Sequence, residues 1–184
     1  MPGTAYHPNA IHDGRSHDLS HLNPFLFEVV SNAVPRPLRV NVRFTNHCFS
    51  EAFDPTLHTP DAVVIPDGIR RRVFAPARYT LSLHLPGLVR GLSNPGARVH
   101  ETASRRNWMY ATTIAIPVSD THYRIFFDLR RSVSERRRFQ DLDMVVESAY
   151  PADPARVAPN VLGRMNFALL AGNVFTGRST STRR

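Results

Sequence analysis

Leu38-Arg39-Val40-Asn41-Val42-Arg43-Phe44-Thr45 alternates apolar and polar residues without a break, so Leu38, Val40, Val42 and Phe44 share one face and Arg39, Asn41 and Arg43 the other. A period of two is the signature of a half-buried strand. Phe25 to Ser31 carries a similar pattern, and the connection from Asn32 to Pro37 has the length of a hairpin loop. Pro35 and Pro37 stop either strand from running on. The two segments are read as a strand pair near the N-terminus.

Downstream, Asn46 to Ile69 is mostly loop, rich in proline, with one short apolar run from Ala62 to Ile65 that suits an edge strand. From Pro76 to Leu92 the period changes. Leu81, Leu85, Leu88 and Leu92 fall at spacings of four, three and four and line one face of a helix. Pro76 suits a first helical turn, whereas Pro86 removes an amide donor and biases Leu85 out of the helical region. One kinked helix or two short ones is expected. Five further segments read as strands: Arg98 to Thr102, Trp108 to Ile116, Tyr123 to Leu129, Leu142 to Tyr150 and Arg164 to Leu170. Their short polar connections favour antiparallel neighbours. The fold class is therefore α+β, a mainly antiparallel sheet with an N-terminal strand pair.

The 184 residues suit one domain, with 42% hydrophobic content and 11 Phe to fill its core. Residues 1–24 mix His, Asp, Asn, Ser and Pro without sustained periodicity and are read as a flexible arm, or one ordered only by docking. The domain proper is placed at 25–171, and the Ser/Thr/Arg-rich 172–184 is read as a frayed tail.

Charge narrows the partner. All 23 basic residues are arginine, and the formal net charge is +8. Residues 1–60 hold four Arg against five acids, while 61–184 hold 19 against ten, so the excess lies C-terminal to residue 60. Planar guanidinium forks suit phosphates and bases, which favours nucleic acid, RNA more than DNA, or else an acidic protein. Cys48 is the sole cysteine, and the N-terminus lacks a basic start followed by an apolar core. With no apolar run of roughly 18 residues, the expectation is a cytoplasmic protein outside the membrane.

Candidate chemistry centres on His100, Glu101, Arg105, Arg106 and Trp108, which lie within nine residues at a strand connection. A metal-independent ribonuclease needs a general base, a general acid and cations on the pentacoordinate phosphate. His100 or Glu101 would serve as acid or base and Arg105 as phosphate clamp, with Tyr123, His122 or Tyr150 as further donors. Arg106 and Trp108, together with the triplets Arg70-Arg71-Arg72 and Arg136-Arg137-Arg138, are candidates for nucleic-acid contact. The alternative is a non-catalytic interaction or nucleic-acid-binding protein. Cys48 with His47 and His58, and the recurring His7, His12, His17 and His21, match no established ligand spacing, so no metal site and no cofactor is assigned. Walker, dinucleotide, zinc-protease and nucleophile-elbow motifs are absent from the sequence.

At Arg72-Val73-Phe74-Ala75-Pro76-Ala77-Arg78-Tyr79-Thr80-Leu81-Ser82-Leu83-His84-Leu85-Pro86, then Asn107-Trp108-Met109-Tyr110 and Val146-Glu147-Ser148-Ala149-Tyr150, the chain resembles an uncharacterised bacterial family. Some members of that family are labelled stationary phase growth adaptation protein. The resemblance spans roughly residues 25–171 and implies a bacterial source and a stress or growth-control setting. It carries no catalytic motif. The order of short helices then antiparallel sheet is also similar to barnase-type and RelE-type RNA-cleaving toxins, an analogy of architecture that does not by itself imply function.

Overall fold

A computed structural model describes residues 6–59, 64–67, 70–103, 107–115, 120–153 and 157–182. Its centre is a seven-stranded mixed sheet that curls into a half-barrel. Leu38–Phe44 forms β4 in that sheet, with Leu38, Val40 and Val42 fully buried and Phe44 1% exposed, as the alternation requires. β3 (Phe25–Val29) pairs with it antiparallel, and β11 (Leu142–Pro151) pairs with it in parallel. The parallel register places Leu142 opposite Val40, Met144 opposite Val42 and Val146 opposite Phe44, so three apolar pairs face inward across one ladder.

β8 (Arg98–Thr102), β9 (Trp108–Ala115), β10 (Asp120–Arg131) and β12 (Val161–Asn166) complete the sheet in the order β12-β8-β9-β10-β11-β4-β3. Every neighbouring pair except β11–β4 is antiparallel. The short connections behaved as expected from their length, whereas β4 and β11 are far apart in sequence and carry no such constraint.

The leucine periodicity ends in two short helices. α1 (Pro76–Ser82) and α2 (Leu85–Arg90) each begin with proline in the first turn, and the chain breaks between them just before Pro86. Helices of seven and six residues are too short to stand alone, so burial of Leu81, Leu85, Val89 and Leu92 against the core holds them.

A third helix was not anticipated. The segment Arg164 to Leu170, expected as a strand, leaves the sheet at Asn166, whose Oδ1 accepts the amide of Ala168 at 2.9 Å and starts α3 (Phe167–Thr176). Gly177, at φ 72°, closes it in a left-handed cap. Phe167, Leu170 and Ala171 fill the half-barrel, with Phe167 stacked on Phe27 and edge-on to Phe127. The continuous apolar run from Phe167 to Leu170 masked the helical period, although the asparagine cap and the terminal glycine were legible.

Two smaller sheets cover one end. β1 (Ala10–His12) and β2 (Arg15–His17) form a hairpin around Asp13 and Gly14, both at positive φ, and a three-stranded sheet is ordered β5-β7-β6. In the latter, β5 is Ser50–Ala52, β6 Val64–Asp67 and β7 Arg70–Phe74. Leu19 and Leu22, in a stretch to which the sequence pattern assigned no core, are 1% and 0% exposed. Among the described residues no helix is long and apolar enough to cross a membrane.

Candidate functional site

Register across the sheet assigns each candidate a face. His100, Met109, Phe126 and Ser148 are successive partners and form one row on the outer face. Glu101, Trp108, Phe127, Val146 and Phe44 form the adjacent row, which faces the core. Tyr123 and Tyr150 are likewise divided, because Tyr150 pairs with the outward Arg124 while Tyr123 is fully buried.

The proposed reacting groups therefore do not meet. His100 on β8 is three strands from Tyr150 on β11, about 14 Å at ordinary strand spacing. Burial pushes the Tyr123 phenol well above its usual range, and its hydroxyl has no hydrogen-bond partner among the described residues, which suits neither an acid nor a base at neutral pH. Glu101 accepts the backbone amide and hydroxyl of Thr182, so the C-terminal segment lies over it. Arg105 and Arg106 lie outside the described residues.

Trp108 is 4% exposed, part of the core beneath residues 177–181, and is not available to stack on a base. Arg72 is likewise interior. It stands in the central strand β7, and its Nε and Nη2 donate to the Ser50 hydroxyl and carbonyl at 2.8 and 2.7 Å. Its neighbour Arg71 lies 4.3 Å above the Phe53 ring, and Arg70 is exposed. The Arg70 triplet thus belongs to a strand and not to a loop. A strand turns alternate residues to opposite faces, so three consecutive arginines cannot make one footprint. Arg136, Arg137 and Arg138 are exposed on the β10–β11 connection, where Arg137 and Arg138 also offer their carbonyls to the Arg39 guanidinium.

What the fold does assemble is an outer face that joins the candidates Tyr150 and Arg136 to Phe126 and Arg43, which the sequence reading does not single out. Phe126 and Tyr150, on adjacent strands, stack at 5.2 Å with their planes 20° apart, and Arg78 lies 5.5 Å over the Tyr150 ring. Phe126 and Tyr150 line a cleft of about 540 Å³ with Asn107, Glu147, Ser148 and Asn160. A bulge between Phe126 and Phe127 leaves Glu147 without a partner on β10 and lets its carboxylate accept from Asn107 Nδ2.

Glu147 also borders a second cleft, of about 390 Å³, walled by Arg43, Arg130, Arg131 and Arg136. Its acids are already engaged: Asp128 pairs with Arg130 at 2.5 Å, and Asp143 accepts from Ser132 and Gln140. The buried Nε of Arg43 has no hydrogen-bond partner among the described residues. The two clefts share the Glu147 carboxylate, with aromatic rings lining one and guanidinium groups the other. Arg43 was visible in the opening alternation, but nothing local said that it would face Arg130 and Arg136 across three elements.

Among the described residues no three His, Cys, Asp or Glu side chains gather as metal ligands. His7, His12, His17 and His21 instead dock the hairpin: His12 and His17 pack on Phe74, and His21 reaches Ser82 at 2.8 Å.

In comparison with known proteins, the model of the YjaZ family matches residues 9–175. No curated protein and no solved structure matches the chain, and nothing in the comparisons supports the likeness to RNA-cleaving toxins.

Proposed function

We propose, for a chain that belongs to the YjaZ family, that its outer sheet face binds single-stranded RNA without cleaving it. The observation that carries this reading is the Phe126–Tyr150 stack beside an arginine-lined cleft. Proteins that hold single strands combine aromatic platforms, on which bases stack, with cations that follow the backbone. Here a base extends the Phe126–Tyr150 stack while Arg43 and Arg136 take the phosphates that follow. Ribonuclease chemistry is the less favoured version, since the described acid and base candidates occupy opposite faces or distant strands.

Fluorescence anisotropy with a labelled single-stranded RNA tests it. Binding is expected to weaken steeply between about 50 and 200 mM salt, and Phe126→Ala to cost roughly 1–3 kcal/mol. Arg136→Ala should lower the salt slope by about one. Absence of saturable binding at low salt sinks the proposal. Recovery of an acidic protein partner through the same arginines, without RNA, would replace it.

A further inference from the structure

An open cavity of about 880 Å³ differs in character from the arginine-lined cleft. One wall is the N-terminal segment, with His7, Ala10 and Ile11, and the opposite wall is the end of β4 and the turn after it, with Phe44 and Phe49. Ile65 closes one side. In a chain holding 23 arginines, no arginine, aspartate or glutamate lines this space among the described residues. Among the described lining residues a charged ligand finds no counter-ion to offset the hydration it loses.

The polar groups available are few, and one is defined by geometry. His7 Nε2 lies 2.9 Å from the carbonyl oxygen of Phe44. That oxygen can only accept, so Nε2 carries the proton and the other ring nitrogen of the neutral imidazole is the acceptor. The ring is held edge-on against Tyr6 and Phe49, at 4.8 and 5.2 Å. Burial lowers the His7 pKa, which keeps it neutral near pH 7.

We propose that this cavity is a binding site for an uncharged, largely apolar, aromatic-sized small molecule carrying one hydrogen-bond donor, which His7 accepts. Apolar volume with a few placed polar groups is the usual build of such sites. The ligand lies between the N-terminal segment and the sheet end, against the exposed Ile11 and beside Ile65 and His7, since Ala10, Phe44 and Phe49 are already covered. The site is independent of the RNA-binding face, because β4 turns Phe44 inward and Arg43 outward.

The probe is N-phenyl-1-naphthylamine, neutral with one N–H, compared with 1-phenylnaphthalene, which lacks the donor. Fluorescence titration of the full-length chain should reveal saturable binding of one molecule per chain, with the amine bound about fivefold more tightly. Ile11→Trp, at an exposed position that tolerates a larger side chain, and Ala10→Phe, which fills the interior, should each weaken it about tenfold or more. His7→Phe should remove the preference for the amine while leaving 1-phenylnaphthalene bound. Binding unchanged in folded Ile11→Trp overturns the proposal, as does the lack of saturation in the unsubstituted chain. Loss of probe binding in step with dimer formation at rising protein concentration would assign the cavity to a second copy and overturn it equally.

Discussion

The Asp141 carboxylate receives both terminal nitrogens of Arg36, at 2.9 and 2.8 Å, across 105 residues of chain. It also accepts the backbone amide of Arg39 at 2.8 Å, while its own amide donates to the Arg39 carbonyl at 2.8 Å. Asp141 thereby clamps the start of the parallel β4–β11 pair, and the neighbouring guanidinium of Arg36 holds its carboxyl well below the usual carboxylate range.

Acid stability follows from that clamp. The folded-state value is depressed, so the contribution is present above the unfolded value near pH 4 and is lost as pH falls through the lower folded one. Because Arg36 is half exposed, screening trims the gain, and Asp141→Asn should cost about 2 kcal/mol at neutral pH. Urea titrations of both proteins from neutral pH down to about pH 3 check it, since the gap should narrow as the pH falls.

Gly172 marks where α3 meets the β3–β4 connection most closely. A Cβ there would stand 2.2 Å from the Ser31 hydroxyl and 2.7 Å from the Ala33 Cβ. Alanine gains about 1 kcal/mol of helix propensity yet forces apart two packed segments, so Gly172→Ala should be destabilising by roughly 1–3 kcal/mol. Thermal unfolding measures this, and Ser31→Gly in the same background should restore part of the loss.

Cys48 is fully buried, and burial pushes its thiol up to about 12. A thiol so placed is neutral and shielded, hence at about pH 8 Ellman's reagent should label it only as fast as the protein unfolds. Rapid labelling of the native state would contradict the position of the 3-10 turn Asn46–Cys48 against β11.

Trp108, the sole tryptophan, reports on the C-terminal segment. Its emission should be blue-shifted in the native protein, and Glu101→Ala, which removes the acceptor for Thr182, should move it to the red. RNA titrated onto the outer face should leave that emission unchanged, since the ring is on the inner face. Strong quenching by RNA would count against the proposed binding surface.

Sequence periodicity made much of the architecture legible. The alternation from Leu38 to Phe44, the leucine spacing interrupted at Pro86 and the segments around β8 to β11 all correspond to elements of the fold. The site was far less legible. Arg72 and Trp108 looked like surface ligands because arginine and tryptophan are good ones, yet strand alternation buried both. Phe126 and Tyr150 drew no joint attention, being separated by a turn and a charged loop. The Asp-Gly pair that turns β1 into β2 was a hairpin signal within a segment too polar to be read as structure.

By itself the sequence determined the period of each element and where it stops, because residue spacing and proline act on the chain locally. It also determined the unequal charge of its two parts. Only the tertiary structure decided that β4 joins β11 in parallel, that α3 fills the half-barrel, and which arginines face outward together. Those outcomes depend on contacts between segments distant in the chain, 140 residues in the case of Phe27 and Phe167, whose energies are set by packing and desolvation that no local pattern encodes.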